Sequence, residues 1–93
     1  MTRQLLLKKV GQQYAKIEEV LGQGHFQVRT LNKGGKQSHM VAIARGPTLE
    51  HHLQLVEGTT VLLSLSNSDS GANLVHAYTS EEVRKLKEKG EIS

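Results

Sequence analysis

The sequence has no cysteine, no tryptophan and a single proline, and its aromatic residues number three, Tyr14, Phe26 and Tyr78. Without cysteine there is neither a disulfide framework nor a thiolate metal site, which fits a reducing compartment. Three scattered aromatics argue against the stacking platform on which many single-strand binders lay bases, and Tyr14 and Phe26 read as packing residues of a core or barrel end. No apolar run approaches a membrane span, and the stretch Leu5-Leu6-Leu7 is too short for a secretory leader. A cytoplasmic protein is expected.

Acidic residues are scarce in the first half. Residues 1–47 hold eight Lys/Arg against only Glu18 and Glu19, a net +6, whereas the remainder holds four against seven, a net −3. Such asymmetry points to a polyanionic partner, with solubility as the plainer explanation of scattered lysines. At 93 residues and 37% hydrophobic content the chain encloses one modest core, so it forms one domain.

Chemistry-bearing patterns are also missing. Gly22-Gln23-Gly24 lacks the third glycine of a dinucleotide loop, and Gly35-Lys36 is followed by Gln37, so both read as turns. No elbow or spacing selects a serine, a histidine and a carboxylate as a triad. The five histidines, His25, His39, His51, His52 and His76, include no i, i+4 pair of the metalloprotease kind. The expectation is a binding protein, without enzymatic activity, metal or cofactor.

What is present is a succession of short apolar segments about ten residues apart, the pattern of a small all-β domain. The first strand is expected over Gln12–Leu21, where Ala15 and Ile17 alternate with Lys16 and Glu18, and Gly22-Gln23-Gly24 supplies a tight hairpin. The second, His25–Leu31, puts Phe26, Val28 and Thr30 on one face and His25, Gln27 and Arg29 on the other. Asn32-Lys33-Gly34-Gly35 is a turn before a third strand over Lys36–Ala44. Arg45-Gly46-Pro47 breaks the pattern, and Thr48–Val56 is compatible with a helical turn or an irregular loop. Thr59–Leu65 reads as a buried strand, Asn67–Gly71 as a polar turn and Ala72–Tyr78 as the fifth strand. Thr79-Ser80-Glu81-Glu82 forms a capping box, and Gly90 is a C′ stop. A helix over Ser80–Lys89 follows, with Val83 and Leu86 as its docking stripe.

Five strands and a C-terminal helix match an OB-fold β-barrel, and two stretches make the match specific. Gly11-Gln12-Gln13-Tyr14-Ala15 leading to Leu21-Gly22-Gln23-Gly24 resembles the first strand and hairpin of the translation initiation factor 1A family. The ending Tyr78-Thr79-Ser80-Glu81-Glu82-Val83-Arg84-Lys85-Leu86-Lys87-Glu88-Lys89-Gly90-Glu91-Ile92 is similar to that family's C-terminal segment, and Arg45-Gly46 and Gly58 extend the likeness over nearly the whole chain. The resemblance implies an S1/initiation factor 1-type OB-fold, with an extension over 1–11, a barrel over 12–78 and a helix with tail over 79–93. It implies a monomer that binds small-subunit rRNA near the decoding site, with other initiation factors as further partners. The implied RNA-facing residues are His25, Gln27, Arg29, Lys33, Lys36 and Arg45, with His51 and His52 at the family's basic connector.

Here the connector reads Pro47-Thr48-Leu49-Glu50-His51-His52-Leu53-Gln54-Leu55, without the family's Lys/Arg run and tryptophan, and the long charged tails of eukaryotic members are missing. Fewer phosphate contacts imply weaker rRNA affinity. A module turned to protein–protein contact, through Glu50 and Leu49, Leu53 and Leu55, and a general single-stranded RNA binder stand as alternatives.

Overall fold

The computed structural model describes residues 5–31, 38–44, 55–65 and 72–92. Among the described residues five strands, β1 (Gln12–Gly22), β2 (His25–Thr30), β3 (His39–Ile43), β4 (Thr60–Leu65) and β5 (Ala72–Ala77), precede a helix, α1 (Ser80–Glu88). The strands close a barrel in the order β1-β2-β3-β5-β4, with β4 returning to β1. This is the expected OB-fold barrel with its C-terminal helix. The expected third strand is shorter at its start, and the turns at 32–35 and 67–71 and the connector at 48–54 lie outside the described residues.

All neighbouring pairs are antiparallel except β3 and β5, which run parallel over Ala42↔Ala72 and Ile43↔Asn73. The first hairpin turns tightly because Gln23 and Gly24 both have positive φ, +54° and +77°, as a two-residue turn matched to strand twist requires. Gln23 is the sole described non-glycine residue with positive φ.

Alternation then builds two apolar layers. Inward residues of the five strands, including Ala15, Ile17, Phe26, Val28, Ala42, Val61, Leu63 and Leu74, fill the barrel. Tyr14 and Leu62 have the opposite parity, face outward and pair across β1 and β4, yet both are fully buried. They are covered by α1, whose Leu86 joins Tyr14, Leu62, Tyr78 and Ile92 in a second cluster, with Leu5, Leu31, Val75 and Val83 at its margin. The near-continuous Val/Leu run of β4 thus serves a barrel interior on one side and a helix on the other.

The helix starts where its capping box is built. Thr79 Oγ1 accepts from the Glu82 amide at 3.2 Å, and Glu82 Oε1 accepts from the Thr79 amide at 3.0 Å. Gly90, at φ +75°, ends it. The Tyr14 hydroxyl accepts from the Lys8 amide at 2.9 Å and donates to Glu91 at 2.8 Å, while the Tyr78 hydroxyl donates to the Leu6 carbonyl. Burial pushes both phenols above their ordinary range. For Tyr14 the Lys8 amide opposes that rise and Glu91 adds to it; for Tyr78 the nearby Tyr14, Glu82 and Glu91 add to it.

Candidate functional site

Among the described residues no helix lies over Lys16 or over the outward faces of β2 and β3, and the side chains there are set by register. Lys16 pairs with Arg29, and Arg29 pairs with His39, so three cationic or protonatable side chains form one row across three strands. The next row is Glu19, Gln27 and Val41, and the one beyond it Gly22, His25 and Ile43.

Two irregularities in β1 create the first row. A uniform register drawn from the Gly22↔His25 pair at the hairpin would set Arg29 opposite Glu18. Register shifts between Ile17 and Glu19 and between Val20 and Gly22 make Glu18 and Leu21 extra residues, and Lys16 takes the place opposite Arg29. Glu18 instead reaches His39, with its carboxylate 3.3 Å from Nε2. Arg29 is partly buried, and its Nε–H is buried without an acceptor among the described residues.

Of the eight residues expected at the site, His25, Gln27 and Arg29 are described, and all three lie on the outward face of β2. His25 Nδ1 lies 3.0 Å from the Gln23 carbonyl oxygen, which ties the ring to the hairpin turn. Lys33, Lys36, Arg45, His51 and His52 lie outside the described residues. Lys16 and His39 were missed. The only signal for them was cross-strand register, which the two bulges conceal from a residue count.

Other features offer less chemistry. An open cleft of about 270 Å³ between the Val56–Thr59 turn and the start of α1 presents one carboxylate, Glu57, and no histidine, lysine or arginine, so it assembles no acid–base pair. His76 lies 3.5 Å from Glu82 and packs edge-on against Tyr78, within the helix-side cluster. Among the described residues no group of three or more histidine, aspartate or glutamate side chains is placed to hold a metal ion, and no helix is long and apolar enough to cross a membrane.

A closed five-stranded barrel whose β1–β2–β3 face carries Lys16, Arg29, His25 and His39 beside Glu18 and Glu19, with no helix over it among the described residues, suits a binding role. Comparison with known proteins supplies its family: the model described as translation initiation factor 1A / IF-1 matches residues 2–93. The chain belongs to that family. Eukaryotic translation initiation factor 1A of Schizosaccharomyces pombe is 30% identical to it over 91 residues, covering 97% of this chain. The chain spans 62% of that relative's length. Within the translation initiation factor 1A / IF-1 family, then, this member has its β1–β2–β3 face described, while the connector at 48–54 lies outside the described residues.

Proposed function

We propose that this chain is a translation initiation factor 1A-like RNA-binding protein of the cytoplasm, which binds rRNA of the small ribosomal subunit near the decoding site. It acts as a monomer and without enzymatic chemistry. The observation that carries this reading is the Lys16–Arg29–His39 row on the β1–β2–β3 face of a barrel in this family. Phosphate oxygens suit such a row, because guanidinium and ammonium groups bind them without reading base identity. Gln27 and His25 on the adjoining rows would add hydrogen bonds to sugar or base edges. Lys33 and Lys36 follow β2 in sequence and Arg45 follows β3; they belong to the proposed RNA-binding set, and all three lie outside the described residues.

The test is binding to purified small subunits across a salt series. Arg29→Gln and Lys16→Gln should each weaken binding and make the slope of log affinity against log salt shallower by about 0.7 to 0.9, the share of one phosphate contact. Unchanged affinity and slope in both variants would move the site off this face. Equal affinity for unstructured RNA and for the subunit would replace the reading with that of a general single-strand binder.

A further inference from the structure

We propose that Glu18 is a built-in competitor for the phosphate of bound RNA: its carboxylate occupies His39 in the free protein and must leave when RNA binds. The inference rests on the RNA-binding reading of the β1–β2–β3 face.

The geometry begins with the bulge. Glu18 is the extra residue of β1 between Ile17, which pairs with Val28, and Glu19, which pairs with Gln27. Its partner His39 is on β3, two strands away, with β2 between them. Adjacent strands lie about 4.8 Å apart, so the backbones joined by this ion pair are about 10 Å apart. A contact of 3.3 Å between side chains anchored at that separation must pass over β2. The strip it crosses is the outward face of Gln27 and Arg29. A phosphate approaching Arg29 in line with His39 therefore meets a carboxylate already in that space.

Structural stabilisation does not account for the pair. The two side chains are 55% and 33% exposed, and an ion pair so open to water contributes little to folding. Nor does Glu18 relieve Arg29, because no ion pair joins them among the described residues and the Arg29 Nε–H stays without an acceptor. The carboxylate thus occupies one end of the cationic row and leaves the middle open. Its effect falls on ligands: a polyanion must supply enough charge to displace Glu18 from His39, which disfavours isolated anions and favours a backbone that contacts Lys16 and Arg29 at the same time.

The test uses the full chain with two probes, a ten-nucleotide oligouridylate and purified small subunits, at about pH 6, where an ordinary imidazole is largely protonated, over a salt series. Glu18→Gln should tighten binding to both probes by about threefold to fivefold, the scale of one exposed charge pair. Its salt slope should steepen by about 0.7 as His39 becomes available to a phosphate. Glu19→Gln removes the same charge one residue away with no contact to His39, and gives the general effect of losing a carboxylate; the gain from Glu18→Gln must exceed it. In a His39→Gln background the gain should shrink to that general level. A Glu18→Gln affinity equal to the wild type while Arg29→Gln still weakens binding would overturn the competitor role and leave the RNA-binding face standing. So would a gain of undiminished size in the His39→Gln background. Wild-type chain that binds neither probe would remove both readings together.

Discussion

Tyr14 and Lys16 sit two residues apart on the same strand, both pointing outward from the barrel, yet one is fully buried and the other exposed. The difference is α1. Where the helix lies, an outward position becomes a second core, in which Tyr14 and Leu62 pack against Leu86 and Ile92. Where it does not, the same side of β1 meets solvent and carries charge. A small barrel has more outward surface than it needs for solubility, and an amphipathic helix covers one part of that surface while, among the described residues, none covers the β1–β2–β3 part.

The division can be broken most severely from the helix side. Replacing Leu86 by Ala removes a fully buried side chain from the helix-side cluster and should cost about 2 to 5 kcal/mol, read as a lower urea midpoint. RNA affinity per folded molecule should be unchanged. A stability loss under 1 kcal/mol would show that the helix cover is dispensable, and the contrast between the halves would fall.

Next comes alkaline pH, whose action on the tyrosines falls on the covered half, where both are packed. Both phenols are raised in the folded state, chiefly by burial, above the ordinary value near 10. A raised phenol favours the folded chain while it stays protonated, so the contribution is complete below about pH 10 and is lost as pH rises further. Urea midpoints at pH 9 and pH 11 should differ, with the lower at pH 11, and a Tyr14→Phe, Tyr78→Phe double variant should lose less over that interval. An equal loss would assign the effect to other groups.

The smallest effect on stability belongs to the uncovered half. Arg29→Met keeps the aliphatic packing of the stem and removes a buried N–H that has no acceptor among the described residues, so its unfolding free energy should stay within about 0.5 kcal/mol of the wild type. A loss above 2 kcal/mol would make Arg29 part of the fold's support.

Much of this division was legible in the sequence. Alternation along β2 correctly separated Phe26, Val28 and Thr30 from His25, Gln27 and Arg29, and the capping box and Gly90 marked the helix at both ends. Tyr14 and Phe26 pack in the two cores, as their reading as packing residues required. Pairing across strands was not legible, because each bulge adds a residue to one strand with no fixed compositional mark. That is why Glu18 was read as a plain alternating surface position and Lys16 was left out of the site. Leu5 and Ile92 were missed as helix-side residues for a different reason: they lie outside any periodic segment, and only the closed fold brings them to Tyr14 and Tyr78.

The Tyr14 hydroxyl has a consequence for how the molecule opens. It holds the amide of Lys8 and the carboxylate of Glu91 through one oxygen, while Tyr78 holds the Leu6 carbonyl beside it. Residues more than seventy positions apart therefore share a latch. Fraying at one end strips a partner from the phenol that secures the other, so the two ends belong to one cooperative opening unit. Their amide protons should exchange as a group, while the hairpin at Gln23, whose bonds are local, opens by itself.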